Sequence, residues 1–271
     1  MSTEPEVTRS PWNATAVRGT DLAWTSRGAG PVAVWAHPLC SSALAPEAAG
    51  LVDWEPVAAA GRRLIRYDAR GHGRSAGRAD PGDYCFENLA RDLLALIDAL
   101  SPEAPVAGIG LSMGTATLLH AALLAPGRFE RLVLTAPPTA WETRPAQSAL
   151  YLSMAELVEE RGAAALESLL REAPLPAPHQ GVPGLPLPVD VDGRLLPSLL
   201  RGAGASDLPP RELIARLRLP VLILPWEDDP AHPVSTGLEL KSLIPGAQLE
   251  IARTSDDLRG WGRRAAAFLT P

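Results

Sequence analysis

Val106-Ala107-Gly108-Ile109-Gly110-Leu111-Ser112-Met113-Gly114-Thr115-Ala116 is the stretch that decides the fold. Val106 to Gly110 is a short apolar run after Pro105, the pattern of a buried strand. Met113 to Ala125 is rich in Ala and Leu and reads as a helix stopped by Pro126-Gly127. Ser112 therefore stands at a strand-to-helix junction, inside a G-x-S-x-G pentapeptide. Five residues recur by chance, and a glycine-rich turn without chemistry is the bland reading. The position between strand and helix argues against it. A chain reversing that sharply holds its central residue in a strained conformation, and flanking glycines avoid clashes. The hydroxyl then stands above the strand's C-terminal end, beside a helix N-terminus whose N–H groups favour an oxyanion.

Upstream, Pro31 to Ala36 reads as a buried strand ending at His37-Pro38. Ala14 to Arg18 and Asp21 to Thr25 flank Gly19-Thr20 and read as a hairpin. Leu44 to Ala60 is helix-like but broken at Pro46 and Pro56. Arg63 to Tyr67 is a further strand, closed by the turn Asp68 to Ser75. Leu89, Leu93, Leu96, Ile97 and Leu100 share one face of a helix over 88–100. Downstream, Arg131 to Thr135 and Leu219 to Leu224 read as strands, as does Gln248 to Ala252. Helices are expected over 235–243 and 256–268. Strands alternating with helices imply an α/β fold with a mostly parallel central sheet and helices on both faces.

Between Pro137 and Pro210 the alternation stops. Ala149 to Glu172 reads as helix, and prolines crowd the chain from Pro174 to Pro210. The expected organisation is a core of residues 1–136 and 211–271 with a cap inserted at 137–210. No internal repeat is visible.

The 271 residues suit one such domain with its insertion. Net charge is −6, and no run of Lys and Arg offers a phosphate-binding stripe, so no nucleic-acid partner is expected. Lys241 is the single lysine. Cys40 and Cys85 form neither a disulfide framework nor a metal-ligand cluster, and neither a metal nor a cofactor is expected. No secretory signal is visible at the start, and no apolar run approaches the roughly 20 residues of a membrane span. A cytoplasmic enzyme with a small-molecule substrate and no membrane partner is expected.

Three further segments, with the serine elbow, resemble the α/β-hydrolase fold family. His37-Pro38-Leu39 is similar to the family's His-Gly-x turn, with Pro38 in place of glycine. The resemblance implies an oxyanion hole made by the N–H groups of Leu39 and Met113. Asp68-Ala69-Arg70-Gly71-His72-Gly73-Arg74-Ser75 resembles the D-x-R-G-H-G-x-S turn, a mainly structural element. Trp226 to Pro233 resembles the G-x-x-D-x-x-x-P acid loop, with Trp226 in place of glycine. That register implies Asp229 as the catalytic acid; the alternative is that Asp228 and Asp229 only cap the next segment. Elbow and turns look most like enol-lactonase and carboxylesterase members.

The family's histidine follows the last strand, usually after a glycine. Here that position reads Arg253-Thr254-Ser255-Asp256-Asp257, with Ser255 expected as a helix N-cap, and no histidine follows His232. The base is then His232, clamped between Pro230 and Pro233, or His37 near the pocket, or no histidine at all. His72 and His120 read as packing residues, and His179 as an exposed residue of the insertion.

The leading expectation is hydrolysis of a small ester or lactone through a Ser112 acyl-enzyme. The alternatives are a non-hydrolytic reaction on the same fold, such as acyl transfer, a lyase step or a cyclisation, and a degenerate ligand-binding member.

Overall fold

The computed structural model describes residues 11–270. One eight-stranded sheet runs through it, built from β1 (Asn13–Val17), β2 (Thr20–Arg27), β3 (Val32–Ala36), β4 (Arg63–Tyr67), β5 (Val106–Leu111), β6 (Phe129–Thr135), β7 (Val221–Leu224) and β8 (Gln248–Leu249). The spatial order is β1-β2-β4-β3-β5-β6-β7-β8. β1 and β2 form the antiparallel hairpin read from the sequence, and β2 joins β4 antiparallel. Every pairing from β4 to β8 is parallel.

Ten α-helices lie between or after the strands among the described residues: α1 (Ala45–Ala48), α2 (Glu55–Ala59), α3 (Phe86–Leu100), α4 (Met113–Leu124), α5 (Arg144–Arg161), α6 (Ala163–Glu172), α7 (Leu196–Gly204), α8 (Arg211–Ile214), α9 (Val234–Leu243) and α10 (Ser255–Leu269). Two hydrophobic clusters cover opposite faces of the sheet. Val34, Ile65 and Leu132 point to one, with Leu93 of α3 and Leu118 of α4. Trp35, Leu64 and Val133 point to the other, with Val57 of α2 and Leu258 and Trp261 of α10. Neighbouring strand residues fall in different clusters because successive side chains leave a strand on opposite faces.

Several local expectations are corrected. The stretch 44–60 is broken into the short α1 and α2, as its prolines imply, but Pro46 and Pro56 sit in the first turns of these helices and not at their ends, because proline suits a first turn whose N–H lacks an acceptor anyway. The helix expected over 149–172 is two helices, split at Gly162, whose φ of 80° ends the first one. The expected strand 248–252 keeps two residues plus a lone bridge from Ala252 to Trp226. Thr254, not Ser255, caps α10: its hydroxyl accepts from Asp257 N–H while the Asp257 carboxylate accepts from Thr254 N–H.

Strand order places the site. The chain leaves β3 toward β4 on one side and leaves β5 toward β6 on the other. The connections diverge outside the C-terminal ends of β3 and β5, where an open α/β sheet forms its crevice. Ala36 at the end of β3 pairs with Gly110 near the end of β5, so His37-Pro38-Leu39 and Leu111-Ser112-Met113 emerge side by side. Residues 137–210 are inserted between the paired strands β6 and β7. Their apolar core of Ala155, Val158, Leu166, Leu196 and Leu200 packs on Leu39 and Cys40, at this same edge of the sheet. Asp190 N–H donates to the Cys40 carbonyl at 2.8 Å, and Gly73 N–H donates to the Asp190 carbonyl at 2.8 Å. No helix among the described residues is long and apolar enough to cross a membrane.

Candidate active site

Ser112 has φ 55° and ψ −110°, a left-handed conformation that non-glycine residues seldom adopt. Its surroundings hold it there. A Cβ at Gly114 would meet the Ala36 carbonyl oxygen at 1.9 Å, and one at Gly110 would meet the Gly114 carbonyl carbon at 2.5 Å. α4 thus seats its first turn directly against β3 and β5, and glycine at both positions is a packing requirement. Thr115 Oγ lies 2.9 Å from the Gly110 and Thr135 carbonyl oxygens, and the Thr135 hydroxyl donates to Gly110 O at 2.7 Å. These two buried threonines pin β5, β6 and the elbow together, a contribution the pentapeptide pattern does not reveal.

Three side chains from two distant segments meet here. Ser112 Oγ lies 2.7 Å from His232 Nε2, and His232 Nδ1 lies 2.7 Å from Asp229 Oδ2. A carboxylate accepts only, so Nδ1 carries the proton and donates to Asp229. Nε2 then presents its lone pair to the Ser112 hydroxyl. Asp229 is held further by Trp226 Nε1–H, donating to Oδ2 at 2.9 Å, and by Ala231 N–H, donating to Oδ1 at 2.9 Å. Partial burial of Asp229 pushes its pKa up. The charge and hydrogen bond of His232, with the other two donors, outweigh that and hold the carboxyl well below its ordinary value. Asp228, at φ 63°, is exposed; the turn it makes leaves its neighbour Asp229 facing inward. Thr139 N–H donates to the Ala231 carbonyl at 3.0 Å and ties this loop to the chain leaving β6.

His37 lies near the elbow but is turned away from it. Ala69 N–H donates to its Nε2 at 2.9 Å, so the proton sits on Nδ1, which donates to the Pro38 carbonyl at 2.8 Å. Both nitrogens are engaged, and neither is left to take a proton from Ser112. Burial lowers its pKa to about 4. His72 packs edge-on against His37 at a 5.0 Å ring separation, is fully buried, and has its pKa lowered to about 3, chiefly by burial. Asp68 joins this turn to the 37–43 loop, accepting from Ala43 N–H at 2.8 Å and Arg74 N–H at 2.9 Å. The half-buried His120 engages the Asp207 carbonyl at 2.9 Å. His179 corrects the expectation of exposure: it is buried, packed edge-on against Trp226 at 4.3 Å.

Leu39 N–H has no acceptor among the described residues. Met113 N–H, the first of α4, has no intrahelical acceptor by construction. Both emerge beside Ser112, from the ends of adjacent strands. Among the described residues there is no group of three or more His, Cys, Asp or Glu side chains that could hold a metal ion.

The comparisons with known proteins agree with this architecture. Residues 46–165 match the model of the alpha/beta hydrolase fold. The chain is 29% identical over 203 residues to 3-oxoadipate enol-lactonase 2 of Acinetobacter baylyi, covering 71% of either chain. It is 33% identical over 115 residues to an epoxide hydrolase of Caballeronia sordidicola, a stretch that spans 42% of this chain and only 33% of that protein. Among solved structures, the enol-lactonase of Burkholderia xenovorans superposes with a TM-score of 0.79 at 25% identity, covering 96% of this chain and 100% of that one. A thermophilic esterase of Thermogutta terrifontis has the same fold, with a TM-score of 0.75 at 20% identity and 96% coverage of both chains. The chain has the α/β-hydrolase fold.

Proposed function

We propose that the protein is a serine hydrolase that cleaves a small carboxylic ester or lactone. The observation that carries this reading is the continuous hydrogen-bonded line from Ser112 through His232 to Asp229, each step 2.7 Å long. His232 takes the Ser112 proton as Oγ attacks the substrate carbonyl, and Asp229 steadies the imidazolium that forms. The N–H groups of Leu39 and Met113 receive the developing oxyanion. His232 then returns the proton to the leaving alkoxide, and the acyl group stays on Ser112. A water, deprotonated by the same imidazole, releases the acid. In a lactone both product ends belong to one molecule.

Residues 137–210 serve as a cap over this site. Support comes from the packing of their apolar core on Leu39 and Cys40, next to the proposed oxyanion hole. The similarity to proteins named enol-lactonase and esterase favours ester and lactone substrates. An imidazole in hydrogen-bond contact with Ser112 favours hydrolysis over a degenerate binding role, because a binder needs no activated hydroxyl.

The test is a panel of short-chain p-nitrophenyl esters and small lactones, run with the wild type and Ser112→Ala. The proposal expects turnover by the wild type and none above the uncatalysed rate by the folded variant. Turnover by Ser112→Ala at the wild-type rate would overturn it.

A further inference from the structure

Acid and base sit three residues apart here, on one loop, whereas the late segment 253–257 carries no histidine. Such a loop keeps its own internal geometry, but something outside it must fix its orientation toward Ser112. Trp226 is placed to do that. Its indole is 3% exposed and lies parallel to Trp261 of α10, with ring centroids 5.7 Å apart and planes 2° from parallel. His179, from the inserted segment, meets it edge-on at 4.3 Å, and His232 meets it edge-on at 5.3 Å. Its backbone bridges to Ala252, and the next residue, Glu227, donates its N–H to the Ala252 carbonyl at 3.0 Å. From this anchored ring, Nε1–H reaches Asp229 Oδ2, the same oxygen that accepts from His232 Nδ1.

We infer that Trp226 is the positioning residue of the Asp229–His232 pair: its packed indole aims the acid loop, and its N–H fixes which carboxylate oxygen receives the imidazole. This rests on the hydrolase reading above and deepens it. His179 closes the other side of the ring; its Nε2 is buried without a hydrogen-bond partner among the described residues, consistent with a packing role against the indole. The titratable groups around the indole are Asp229 and His232 on its loop, His179 opposite, and Glu227, which is paired with Arg253 at 2.9 Å.

Trp226→Phe separates the N–H from the packing, and Trp226→Ala removes both. Losing a donor to a charged acceptor lowers kcat on a reactive ester by about tenfold, with KM little changed. It also leaves more negative charge on Oδ2, favouring the protonated imidazole, so the acidic limb of the pH–kcat/KM profile moves to higher pH. The deshielded Nδ1 proton of His232 in the proton NMR spectrum shifts or broadens, a readout that needs no turnover. Trp226→Phe that matches the wild type in kcat, pH profile and NMR signal overturns the inference, whatever Trp226→Ala does. A wild type inert toward every ester and lactone defeats the hydrolase reading instead, and the NMR comparison then still decides the role of Trp226.

Discussion

Asp229 and His232 are three residues apart in sequence, yet His232 Nδ1 is 2.7 Å from Asp229 Oδ2 while its Nε2 reaches Ser112, 120 positions away. The loop makes this possible by turning at Asp228, at φ 63°, and by accepting His232 N–H at the Asp229 carbonyl, 3.1 Å away. Pro233 then leads into α9 and stops the loop from sliding into that helix. The proposed orienter and base are thereby coupled within one short segment, so damage to that segment removes both.

His232→Ala is expected to lower kcat by at least about a hundredfold, with a smaller change in KM, because a neutral serine hydroxyl loses its proton acceptor. Steady-state kinetics on an activated ester measures this. An unchanged kcat/KM would remove His232 from the mechanism, and neither nitrogen of His37 is free to replace it.

The buried histidine pair makes stability depend on pH. The pKa values of His37 and His72 are lowered to about 4 and about 3 in the folded chain. In the unfolded chain each takes up a proton near the ordinary value of about 6.5. The unfolded state therefore binds more protons below that value, and folding stability falls as pH drops from about 6.5 toward 4. Asp229 adds a loss of the same sign further down, below the ordinary carboxylate range, because its folded pKa is depressed. Urea unfolding at pH 7.0, 6.0 and 5.0 checks the upper window. The midpoint is expected to fall stepwise, and His72→Asn, if it folds, to flatten the slope.

Away from the site, Asp92 is 1% exposed and accepts two hydrogen bonds from Arg70, at 2.7 and 2.8 Å, and one from Arg18 at 2.8 Å. Asp92→Asn leaves the buried Arg70 guanidinium short of a countercharge. The expected loss is about 3 kcal/mol or more of unfolding free energy, since breaking a buried pair costs more than the pair is worth. A denaturant midpoint within error of the wild type would contradict it.

The fold was legible in the sequence because its central signals are local. The apolar run Val106 to Gly110, the serine between glycines and the helix after it name one strand, one turn and one helix. The register of the acid loop singled out Asp229, the carboxylate that lies against His232 in the fold. Trp226 was visible only as a departure from glycine. Its function depends on Trp261 and His179, which are 35 residues ahead and 47 behind and become neighbours only in the fold. The same holds for Thr115 and Thr135, whose hydroxyls converge on Gly110 through the pairing of β5 with β6. His179 was misread because a proline-rich stretch looks solvated; nothing local shows that it packs on an indole. Whether His232 or His37 faces Ser112 was likewise undecided, because both lie at the C-terminal edge of the sheet. The hydrogen bond from Ala69 N–H, which occupies His37 Nε2, is a long-range fact.

The central claim is that Ser112 is a nucleophile activated by His232. Intact-mass analysis after brief exposure to a fluorophosphonate tests it most directly, because the probe reacts with an activated serine and needs no knowledge of the substrate. The account predicts one adduct per chain on the wild type, located at Ser112 by peptide mapping. It predicts none on Ser112→Ala and a labelling rate reduced by at least about a hundredfold on His232→Ala. An unlabelled wild type, or equal labelling of the wild type and Ser112→Ala, would contradict it.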